Sequence, residues 1–138
     1  MVLRHDPPQA ARSVSPKVPV AYHSDGWYRP VLDDLVEIGV GIVNPVQPDC
    51  MDSSEIRRRY GRALVLWGTV GTATLMAFGT PQEVHREVRR RVEELGPGGL
   101  ILSPAYDLEE NTALGNVEAF FAAVRPSVSP PGCPRCLE

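Results

Sequence analysis

The chain has 138 residues, 43% of them apolar and 22% charged, with 14 basic and 17 acidic side chains for a net charge of -3. That length bounds the chain to one domain and falls short of the roughly 250 residues of a complete (β/α)8 barrel. The near-balanced charge excludes the electrostatic footprint of a nucleic-acid or anionic-membrane binder, and no apolar run approaches the ~18 residues of a membrane span.

Residues 1–17 are rich in Pro, Ala, Ser and charge and show no period, which predicts a disordered arm. They lack the apolar centre of a signal peptide, so a soluble, cytoplasmic protein is expected. Organised structure is predicted over residues 18–124. Val18 to Tyr22 is a short apolar run suited to a buried strand. Tyr28 to Ile38 has helical spacing, with Val31, Leu32, Leu35, Val36 and Ile38 on one side and Asp33, Asp34 and Glu37 on the other. Pro30 fits its first turn and Gly39 stops it.

Val40 to Val43 is a second apolar run, ended by the turn signal Asn44-Pro45. Asp52 then caps a helix through about Tyr60, with Glu55 at the capping-box position. Leu64 to Trp67 is a third run, closed by Gly68. Thr80-Pro81-Gln82-Glu83 combines an N-cap, a proline at the first helical position and a capping-box glutamate. Val84, Val88, Val92 and Leu95 form the buried stripe that follows. The triplet Arg89, Arg90 and Arg91 is flanked by Glu87, Glu93 and Glu94, and reads as a solvated helix face. Leu100 to Leu102 is the fourth run. Leu114 to Val124 is the last helix, with Val117, Phe120, Phe121 and Val124 on its expected buried side. Residues 125–138 carry four prolines, which predicts a disordered tail.

Buried strands alternating with amphipathic helices imply a parallel α/β sheet. Four such units are half a closed barrel or a small open sheet, and the pattern alone does not choose between them. In either architecture ligands bind at the C-terminal ends of the strands. His23 and Asp25 follow the first run and stand two apart, so on an extended segment they leave the same side. Imidazole and carboxylate together suit a divalent metal such as zinc, or a base with its orienting partner; a polar strand end without metal is the plainer reading. Asn44 and Gln47 follow the second run, Thr69 the third, and Tyr106 and Asp107 the fourth. Cys50 reads as a half-buried structural cysteine. Cys133-Pro134-Arg135-Cys136 has knuckle spacing but no second pair.

Four segments in order resemble the uroporphyrinogen decarboxylase superfamily: Tyr22-His23-Ser24-Asp25-Gly26, Asn44-Pro45-Val46-Gln47-Pro48, Trp67-Gly68 with Phe78-Gly79-Thr80-Pro81-Gln82-Glu83, and Leu102-Ser103-Pro104-Ala105 with Asn116-Val117. The resemblance implies a partial (β/α)8 TIM barrel, this chain forming its last four βα units as a half-barrel. It implies one of two chemistries. One is metal-free decarboxylation of uroporphyrinogen acetate side chains in porphyrin biosynthesis, which requires no cofactor. The other is corrinoid-linked methyl transfer to a zinc-activated thiol.

By that resemblance His23, Asp25 and Tyr106 are the catalytic candidates, and Asn44, Gln47 and Thr69 the substrate-binding ones. His23 and Asp25 are the metal candidates. Asp25 and Tyr106 stand where the methyltransferases have cysteines, and the acid that relatives often carry near Gly71 is lacking. The expected ligand is a tetrapyrrole or a corrinoid-linked small molecule. The expected protein partner is a second copy or an N-terminal half-barrel. A degenerate, non-catalytic half-barrel acting by association is the remaining expectation.

Overall fold

The computed structural model describes residues 18–125. The expected N-terminal arm, the C-terminal tail and the Cys133–Cys136 spacing lie outside the described residues.

Strand β1 is Val20–His23; a 3-10 turn, Arg29–Val31, runs into helix α1, Leu32–Glu37. Strand β2 is Val40–Asn44 and helix α2 is Ser53–Tyr60. Strand β3 is Val65–Trp67, followed by a π-helical turn at Thr72–Met76 and helix α3, Pro81–Leu95. Strand β4 is Leu100–Ile101 and helix α4 is Leu114–Val124. The strands form one sheet in the order β1-β2-β3-β4, and every neighbouring pair is parallel. Chain order equals spatial order, with a helix in each crossover. The fold is a half-barrel of four βα units.

Local chemistry sets the helix starts. Asp52 accepts a hydrogen bond from the Ser54 amide at 2.8 Å, which satisfies one of the free donors at the start of α2. Thr80 and Glu83 form a full capping box on α3. The backbone and hydroxyl of Thr80 both donate to Glu83, which holds that carboxyl below the usual glutamate range.

The sheet has two unlike faces. Val43 and Leu66 are fully buried against the helices, with Leu32, Ile56 and Leu95 in the same cluster. Each such side chain contributes about 1.5–3 kcal/mol by leaving water. A second cluster under α3 and α4 gathers Val70, Met76, Val84, Val88 and Phe120. The side chains that alternate with these point to the other, inner face. Ala21 aligns with Ile42 and His23 with Asn44; Ile42 aligns with Val65, and Trp67 with Ile101. Of these, Ala21, His23, Trp67 and Ile101 are exposed and the others half-buried.

Three sequence expectations are corrected here. Arg91 is not on a solvated face: it is buried, donating to Ser53 Oγ at 2.5 Å and to Glu87 at 2.7 Å. The helical period brings position 91 onto the Val84–Val88 side, and a buried guanidinium is tolerated because both partners meet it. Phe121 is exposed, since α4 turns its neighbours Phe120 and Ala123 inward. Val31 is exposed because the 3-10 turn rotates it off the face that Leu32 and Leu35 bury.

At the end of the sheet opposite the candidate site, Arg57 of α2 fastens the chain. Its guanidinium donates to the carbonyls of Gly61 at 2.6 Å, Leu64 at 3.3 Å and Gly99 at 2.5 Å. One side chain thereby ties the end of α2 to the entries of β3 and β4.

Candidate functional site

The loops leaving the C-terminal strand ends are knitted together. Behind β1 and β2, the Ser24 amide donates to the Asn44 carbonyl at 3.0 Å. The Gly26 amide donates to Gln47 Oε1 at 2.6 Å and the Tyr28 hydroxyl to the Pro45 carbonyl at 2.9 Å. Burial, with Tyr22 nearby, pushes the Tyr28 phenol well above its ordinary value, so it stays a donor. Behind β3 and β4, the Ala105 amide donates to the Val70 carbonyl at 2.7 Å. The Tyr106 amide donates to Thr72 Oγ1 at 2.8 Å.

The two pairs of loops meet at Gly68. Its φ is +73°, and a Cβ there would stand 3.1 Å from Pro45 Cβ, 3.2 Å from Ala105 Cα and 3.3 Å from Asn44 Nδ2. Any other residue would be strained in conformation and crowded by its neighbours.

Asp25, Gln47 and Tyr106 line one cavity of about 310 Å3, together with Asp49, Thr72, Asp107 and Glu109. Four carboxylates and no cation border it. His23 and Asn44 stand side by side at the ends of β1 and β2, His23 Nδ1 lying 2.7 Å from Asn44 Oδ1. An amide oxygen only accepts, so Nδ1 carries the proton and Nε2 is the nitrogen left for exchange. Thr69 is fully buried with its hydroxyl unpaired, and, like His23 and Asn44, it does not line that cavity.

Three lining residues were not singled out from the sequence: Asp49, Thr72 and Glu109. Asp49 Oδ2 lies 3.8 Å from the place a Cβ on Gly71 would take. A carboxylate from the loop after β2 therefore reaches the neighbourhood where the sequence lacks an acid after β3. No one-dimensional pattern marks it, because the approach is made across two loops.

A model of the family described as uroporphyrinogen decarboxylase (URO-D) matches residues 8–126. The chain belongs to the URO-D family. Among solved structures it is similar to a methyltransferase from Methanosarcina mazei, with a TM-score of 0.68 and 22% sequence identity. The match covers 85% of this chain and 33% of that one, so the chain spans about a third of that methyltransferase's length. The likeness establishes the fold. No curated protein matches the chain.

Among the described residues of this URO-D chain the donors at the mouth form no zinc–thiolate set. Cys50 is exposed rather than half-buried, and its sulfur stands 3.7 Å from Gln47 Oε1. It sits in the loop after β2, where no apolar layer covers it. Among the described residues no three His, Cys, Asp or Glu side chains gather where one ion would meet them. Nor is any helix there long and apolar enough to cross a membrane.

Proposed function

We propose that this URO-D chain supplies the proton-handling side of a decarboxylase mouth, acting in the cytoplasm on the acetate side chains of a uroporphyrinogen-type tetrapyrrole. The observation that carries this reading is the His23–Asn44 pair, which fixes one imidazole nitrogen and leaves the other for proton exchange. Decarboxylation cleaves a carbon–carbon bond. The bonding electrons stay on the methylene carbon, carbon dioxide leaves, and one proton must be delivered to give a methyl group. His23 is the proposed donor when both its ring nitrogens carry a proton. It gives up the Nε2 proton, returns neutral with Nδ1–H still on Asn44, and takes its next proton from solvent. Tyr106, which lines the cavity, is the second candidate.

Asp25 accepts hydrogen bonds from the pyrrole N–H groups, a role that suits a carboxylate in a cavity without cations. This chemistry asks for no metal. Corrinoid-linked methyl transfer asks for a soft donor set, which the described residues do not assemble.

Uroporphyrinogen titrated anaerobically onto the purified chain, followed by tryptophan fluorescence, tests the reading. We expect saturable binding that weakens about tenfold in Asp25→Asn. Stoichiometric zinc in the wild-type protein, lost in His23→Ala, would overturn it in favour of methyl transfer.

A further inference from the structure

We propose that Gln47 is the positioning residue of the mouth, holding Asp25 in place through the Gly26 amide and acting on a ligand only by way of that carboxylate. The inference rests on the role given to Asp25 above, and the test separates its failure from the failure of that role.

Asp25 is exposed and stands in a loop, so the backbone on either side sets where its carboxylate lies. On the near side, the Ser24 amide donates to the Asn44 carbonyl at 3.0 Å, which carries the β1–β2 pairing one residue past the strand. On the far side the chain turns at Gly26, whose φ is +79°. There the Gly26 amide donates to Gln47 Oε1 at 2.6 Å. The peptide between Asp25 and Gly26 is a rigid plane, and its rotation would carry Asp25 with it. Its N–H is on Gln47, and its C=O accepts from the Ser24 hydroxyl at 3.3 Å. The Ser24 bond comes from within the same loop and ties it to nothing else. Gln47 supplies the external anchor.

Gln47 is itself held from two sides. The neighbouring Val46 amide donates to the Trp67 carbonyl at the end of β3 at 2.9 Å, and the Gln47 carbonyl accepts from the Cys50 and Met51 amides at 3.0 and 2.9 Å. Val46 is fully buried and Met51 is buried. A carboxamide on so fixed a backbone carries the position of β3 across β2 to the loop of β1. The Tyr28 hydroxyl crosses the same gap in the opposite sense, to the Pro45 carbonyl at 2.9 Å, so residues 26–28 are strapped to residues 45–47 by two bonds. A backbone N–H only donates, so the Gln47 atom facing Gly26 is the oxygen and the NH2 group lies away from that bond. Because Gln47 also lines the cavity, the competing role is a ligand contact through that NH2 group.

NMR on isotope-labelled residues 1–138 reads the anchor directly. The wild type should show scalar coupling across the hydrogen bond from the Gly26 nitrogen to the Gln47 side-chain carbonyl; its absence beside visible β1–β2 couplings would overturn the proposal. Gln47→Met keeps the side chain's length and removes the acceptor. It should speed Gly26 amide exchange about tenfold and lower the Asp25 backbone order parameter, with β2 and β3 amides unchanged. Gln47→Glu, which keeps an acceptor, should restore both. Anaerobic uroporphyrinogen binding should weaken about fivefold on Gln47→Met in the wild-type background, and by no more than about twofold on the same change in Asp25→Asn. Equal weakening in both backgrounds would overturn the proposal, because Gln47 would then touch the ligand itself. So would a Gly26 amide that exchanges no faster in Gln47→Met than in wild type. A wild type that binds no uroporphyrinogen would remove the role given to Asp25, and the Gly26 and Asp25 signals would still decide what holds the loop.

Discussion

The helix-covered face of the sheet and its inner face differ in burial on the same four strands. Val43 and Leu66 on the covered face are fully buried. One position along, Asn44 and Trp67 on the inner face are half-buried and exposed. Because a strand alternates its side chains every residue, one short segment serves packing and chemistry at once. Stability should therefore respond to one face and ligand binding to the other.

The hardest blow to the covered face is Leu66→Ala. It empties a fully buried site, and we expect a loss of about 3 kcal/mol in urea denaturation. Next is Glu87→Gln, beside the buried Arg91. Burial alone would raise the Glu87 carboxyl, but hydrogen bonds and charges from Arg90 and Arg91 outweigh it and hold the group below its usual value. A depressed carboxylate stabilises the fold above the unfolded-state value and loses that contribution as pH falls through the folded one. Wild type should thus weaken in acid below about pH 4.5. The variant should lack this part of the acid response, and at pH 7 should lose about 2 kcal/mol because a buried guanidinium loses its counter-charge, the Gln amide oxygen remaining only as a neutral acceptor. The smallest change is His23→Ala on the inner face, expected within about 0.5 kcal/mol of wild type. A loss there matching Leu66→Ala would show that the inner face is structural too, and the division between faces would fall.

The sequence made most of the covered face legible. The Thr80-Pro81-Gln82-Glu83 signal marks the start of α3, and Asp52 caps α2 as its side chain predicts. Leu114–Val124 has the expected bounds. Gly68 closes β3 where the turn was read. Legibility failed where a residue's surroundings come from another segment. Arg91 reads as a surface charge until Ser53 arrives from α2 to meet it. The π-helical turn at Thr72–Met76 carries no periodic signal, yet it brings Thr72 to the Tyr106 backbone and the cavity. Thr69 shares the strand-end position of the mouth residues but is fully buried, which composition does not announce.

The Arg57 clamp has a practical consequence. It grips three carbonyls at the end of the sheet remote from the mouth, none of them in a loop that follows a strand. The spacing of β3 and β4 is thereby anchored from below. Those upper loops could be lengthened or swapped for foreign ones with the base undisturbed, which makes this small scaffold a natural acceptor for grafted binding segments.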